Sequence, residues 1–102
     1  MAIKMTLIAD RPNTDVDWYE QDTAVQTYIN THFISTGKMV QDSPTISADG
    51  LTKTMVKTYP NNSDRIAYQN EELHPLIKAS SDAGQEYGFT NNIKRTLIWE
   101  VV

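Results

Sequence analysis

The stretch "GLTKTMVKTYP", residues 50–60, carries two lysines in a setting that suggests chemistry. Strand alternation puts Lys53 and Lys57 on one face with Leu51, Met55 and Tyr59, and puts Thr52, Thr54, Val56 and Thr58 on the other. The two lysines are expected about 7 Å apart along the strand. Arg95, in "NIKRTLIWEVV", also stands on an otherwise apolar face, with Leu97 and Trp99. Cations beside large apolar groups suit an apolar molecule with a carboxylate. Its head would pair with Lys53, Lys57 or Arg95, and its tail would lie among Trp18, Tyr28, Met55, Tyr59 and Trp99. A plainer reading is open beside it. Long cationic stems can cover apolar surface while their heads reach water, and aromatic residues at this spacing also make ordinary core.

His32 and His74 are the only histidines, and so the only side chains with an unperturbed pKa close to neutrality. His74 precedes Pro75, where a helix break can point a side chain into a cleft, which makes it the candidate catalytic base. The plainer and preferred reading is that it simply ends a helical turn. His32 reads as a packing residue beside an apolar stripe.

Other chemistries find no residues to carry them. The chain has no cysteine, which excludes disulfides, thiolate zinc sites and a cysteine nucleophile. The acids of "DRPNTDVD" lack calcium-loop register, and no His-Glu-x-x-His, glycine-rich phosphate loop or Gly-x-Ser-x-Gly is present. Neither a metal nor a cofactor is expected. A net charge of -4 and a pI near 4.9 disfavour nucleic acid. The opening "MAIKMTLIAD" is too short for a signal-peptide core or a bilayer span, so a soluble, cytoplasmic protein without membrane contact is expected.

The elements that must position these residues follow from periodicity. At 102 residues, with 39% hydrophobic and 22% charged residues, one folded domain spanning 1–102 is expected. A first strand covers Ile3 to Ala9. A helix is expected from Asp15 to Ser35, started by a capping box at Thr14 and Asp17, striped by Trp18, Val25, Ile29 and Phe33, and ended at Gly37. "KMVQDSPTIS" predicts a second strand that Pro44 confines to an edge, and "ADG" a tight turn into the third. "NNSD" caps a helical region with Ile66, Asn70, Leu73 and Ile77 on one face. Pro75 breaks it, leaving a short second helix with Gly84 and Gly88 as its terminators. A long strand closes the chain.

The order β-α-β-β-α-β predicts an α+β fold of ferredoxin-like type, an antiparallel sheet with both helices on one face and the first and third strands at its centre. The open face would then be covered by a twofold, sheet-to-sheet homodimer. In this pattern the chain resembles the dimeric α+β barrel group of ferredoxin-like small domains. That resemblance implies a cavity between sheet and helices for apolar or aromatic molecules. The leading expectation is a dimeric small-molecule binding domain whose ligand bears an acidic head. A cofactor-independent monooxygenase-like enzyme of the same group is the second, and a structural protein without ligand the third.

Overall fold

The computed structural model describes residues 1–70 and 72–102. Its sheet comprises β1 (Ile3–Asp10), β2 (Val40–Gln41), β3 (Thr45–Ile46), β4 (Thr52–Tyr59) and β5 (Lys94–Val101). The helices are α1 (Thr23–Ile29), which runs on through a π-turn at Asn30–Ile34, α2 (Asn62–Tyr68) and α3 (Pro75–Thr90). The strand order is β2-β4-β1-β5 with β3 also on β4, and every pairing is antiparallel. The first and third predicted strands do lie at the centre. Pro44 splits the predicted second strand into the short edge pieces β2 and β3, because proline has no N–H for the ladder. Gly37 (φ +74°) and Gly50 (φ +75°) take the left-handed conformations that end the first helix and turn "ADG" into β4.

Directly opposed residues on antiparallel strands share a face. Met5, Leu7 and Ala9 of β1 are buried beneath the helices. Their partners on β4 (Lys57, Met55, Lys53) and on β5 (Trp99, Leu97, Arg95) therefore look the same way. The face bearing Lys53, Lys57 and Arg95 is the helix-covered face. The other side, carrying Thr6, Ile8, Thr54, Val56, Thr96 and Ile98, is the open one. The core gathers Met5 and Leu7 with Val25, Ile29, Phe33, Met39, Tyr59, Tyr68 and Ile77.

The first helix starts later than expected. Asp22, not Thr14, is its cap, accepting from Ala24 N at 3.0 Å. The carbonyls of Val16 and Asp17 would serve residues 20 and 21 in a helix, but the Arg11 guanidinium (2.9 Å) and the Tyr87 hydroxyl (2.7 Å) bond them instead. Residues 11–22 thus form a strap, and Trp18 sits on it rather than on the helical stripe.

The second helical region is broken before Pro75 as the sequence predicts, with α2 ending at Tyr68, but the helix that Pro75 opens is not short: it runs for 16 residues. Asn61 caps α2 through Asp64 N at 2.8 Å, and Pro75 opens α3 in the first turn, where its missing N–H costs nothing. The face expected there is corrected: Tyr68 and Ile77 are buried, while Ile66 and Leu73 are exposed. Gly84 and Gly88 are not terminators either. Helix α3 runs past both to Thr90, and Asn92 (φ 57°) takes the left-handed turn. Both glycines are buried against neighbouring groups.

Their surroundings differ in a testable way. A Cβ on Gly84 would stand 3.5 Å from the Tyr19 ring, an ordinary contact, whereas one on Gly88 would meet the Ile93 carbonyl at 3.3 Å. Gly84→Ala should raise folding stability by about 0.5–1 kcal/mol through helix propensity. Gly88→Ala should fail to, or should destabilise, because the backbone carbonyl cannot yield. Paired urea titrations check the difference.

Candidate functional site

The site grows from one row of the sheet. Ala9 pairs with Lys53 on one side and Arg95 on the other. Two strand spacings put the cationic residues' Cα atoms about 10 Å apart. The small Ala9 between them leaves room above the sheet. Helix α3 approaches closely there through Gly84 and Gly88, and Arg95 Nη1 lies 3.7 Å from where a Cβ on Gly84 would stand.

The strap closes over this row. Arg11 anchors it, donating through Nε to the Gly50 carbonyl at 2.7 Å and through Nη1 to that of Val16. Two cations lie over the Trp18 ring, with Arg11 Cζ 4.5 Å and Lys53 Nζ 6.0 Å from its centroid. Tyr19 packs 5.7 Å from Tyr87, centroid to centroid. Arg11, Trp18, Tyr19, Lys53 and Tyr87, together with the acids Asp17 and Glu20, line an open groove of about 630 Å³.

Two donors in this region have no acceptor. Trp18 Nε1 and Arg95 Nη1 are both buried and without a hydrogen-bond partner. A buried unmet donor costs about 1–3 kcal/mol, and more for a charged group. Burial also lowers the Arg95 guanidinium below its ordinary pKa. Such a cation favours an anionic acceptor placed beside it.

The expected site residues divide among separate places. Trp18 and Lys53 come together under the strap, and Arg95 shares their sheet row but lies against Gly84 and Gly88, outside the groove's lining. Lys57 does not join them. Four strand residues span about 13 Å, so the 7 Å spacing expected for the two lysines holds only for alternate residues. Lys57 instead donates to the Tyr68 hydroxyl at 2.9 Å, above that ring. Tyr59 belongs to the core, and half-buried Met55 packs against that core. Trp99 is exposed at the far end of β5, under Arg65 and beside a smaller 220 Å³ hollow with Ile3 and Val101.

Tyr28 and His74 form a third cluster. The Tyr28 hydroxyl meets His74 Nδ1 at 2.6 Å, with the His32 ring 4.2 Å from Tyr28 and Phe33 4.8 Å from His74. Ten helical residues separate His74 from Gly84, about 15 Å along α3, so His74 stands apart from the groove. Arg11 and Tyr19 were not singled out by the sequence. Only contacts across the fold make them part of the site, and no local pattern marks them.

Desolvation, with the charges of His32 and Lys38 added, holds His74 below the usual imidazole range. The fold therefore prefers the neutral ring. Its contribution to stability is present above the ordinary value of 6.5 and is lost as pH falls through the lowered folded pKa. NMR titration should place the His74 midpoint below 6.5. His74→Gln should flatten the acid-side fall in folding stability, measured by urea titration across a pH series.

No family model matches the chain, and no curated protein matches it. Among solved structures it is similar to a dimeric ferredoxin-like protein from an uncultured marine organism. The two are 10% identical with a TM-score of 0.50, over 99% of this chain and 94% of that one. The likeness is one of fold, and the fold of this chain is ferredoxin-like. No helix among the described residues is long and apolar enough to cross a membrane.

Proposed function

We propose that this protein binds a small molecule with an acidic head and an aromatic or apolar body in the groove under the strap. The observation that carries the reading is the pair of buried, unpartnered donors, Arg95 Nη1 and Trp18 Nε1. A carboxylate oxygen would satisfy either, and a charge-assisted bond to Arg95 is the stronger kind. Lys53 adds a second cation, while Trp18, Tyr19 and Tyr87 offer flat apolar walls. Lys57, Tyr59, Trp99 and Tyr28 lie elsewhere and take no part in this reading. The monooxygenase-like alternative draws no support from the arrangement, since His74 is bonded to Tyr28 and stands apart from the groove.

The same reading makes the protein a homodimer joined through the open sheet face, as the similar dimeric protein suggests by analogy. Ile8, Val56 and Ile98, set among threonines, would form that contact. Val56→Lys should remove this sheet-to-sheet contact and lower the sedimentation coefficient of the purified protein.

The ligand reading is tested first by native mass spectrometry, in which extra mass released on denaturation is expected. Decanoate and indole-3-acetate, titrated against the tryptophan fluorescence, then probe the groove. Arg95→Gln should weaken binding of the better probe at least tenfold, about 1.4 kcal/mol, with His74→Gln leaving it unchanged. Bare chain mass together with no response to either probe would leave the groove a surface feature.

A further inference from the structure

We propose that the free edge of β5 is a self-pairing surface, on which a second copy of this chain docks antiparallel about a twofold axis at Leu97 to continue the sheet. This contact is separate from the sheet-to-sheet contact above and does not depend on it or on the ligand.

The hydrogen-bond parity of β5 shows what its edge offers. Val102 N–H donates to the Ala2 carbonyl at 3.0 Å, in line with the pairing of Val101 with Ile3. Along an antiparallel ladder such groups alternate, so the even-numbered residues of β5 address β1. The N–H and C=O of Arg95, Leu97, Trp99 and Val101 then point outward along the edge. The side chains there are apolar and accessible, with Leu97 54%, Trp99 42% and Val101 62% exposed on one face and Ile98 39% on the other. A long unpaired edge of this kind is a template for another strand.

The charges on the edge favour a second copy as the occupant. The outward groups can bond only where odd residues oppose odd ones, and of the twofold registers that allow this, those centred on Leu97 and on Ile98 pair the most of the strand. Centred on Leu97, Lys94 falls opposite Glu100 of the partner subunit, Thr96 opposite the partner's Ile98, and Arg95 opposite the partner's Trp99. Within one chain Lys94 already lies beside Asp10, and Glu100 beside Lys4. The outer-face row across the contact therefore runs Asp10, Lys94, the partner's Glu100, the partner's Lys4, with signs alternating throughout. The twofold axis makes this row twice. Centring on Ile98 would set Lys94 against the partner's Val102 and lose both pairs. One strand thus supplies both halves of its own complement.

The chain has no cysteine, so a single introduced thiol reports the contact. Leu97→Cys would place two thiols across the axis on residues whose Cα atoms lie about 5.5 Å apart, within disulfide reach. Leu97 is on the helix side, away from the open face, so sheet-to-sheet pairing would not link it. Under mild oxidation, full-length Leu97→Cys should become mostly covalent dimer on a non-reducing gel, while Thr90→Cys, exposed on α3, should stay monomeric. Independently, Lys94→Glu and Glu100→Lys should each weaken edge association at least tenfold, and mixing the two should restore it as a heterodimer. Leu97→Cys that links no faster than Thr90→Cys, or charge variants that fail to complement, would overturn the proposal, as would a foreign strand found on β5.

Discussion

Burial of Met5, Leu7 and Ala9 against the helices is the constraint from which the rest follows. Strand β1 pairs on both sides, so its inward face dictates that of β4 and β5 residue by residue. A slip of one position would send Met5 and Leu7 to the open face and lose about 1.5–3 kcal/mol for each. The register that avoids this cost draws Lys53, Lys57 and Arg95 under the helices with them. The molecule thus has a cationic stripe on the side of the sheet where its core lies.

Each cation meets a different fate there. Lys57 gains a hydroxyl and a ring face from Tyr68, so its head is satisfied inside the protein. Lys53 lies over the Trp18 ring, a contact of about 0.5–1 kcal/mol when partly exposed. Arg95, closed in by the two α3 glycines, keeps an unmet donor whose cost exceeds that gain. The imbalance is local to the Ala9 row, and it is there that the strap and its tryptophan lie.

Much of the scaffold was legible in the sequence because it rests on local rules. Alternation marked the three long strands, Pro44 marked the interrupted edge, and Asn61 and Pro75 marked helix starts. The strap was misread because the capping pattern at Thr14 and Asp17 is sound chemistry that distant groups override. Arg11 and Tyr87 take the carbonyls a helix would need. The glycines of α3 were misread for a related reason. Gly84 and Gly88 resemble stops along the chain, yet both lie inside α3, and close approach of Arg95 and the Ile93 carbonyl accounts for the glycine at position 88.

By itself the sequence determined the element order, the ferredoxin-like class, and the absence of thiol chemistry, because period, turn residues and composition are local or additive properties. Only the tertiary structure decided which strand face lies under the helices, since that depends on the register of three strands at once. It alone separated Lys57 from Lys53 and Arg95, set Tyr28 on His74, and brought Arg11 and Tyr19 to the groove. Those outcomes depend on residues far apart in the chain meeting in space, and no spacing along the chain encodes that directly.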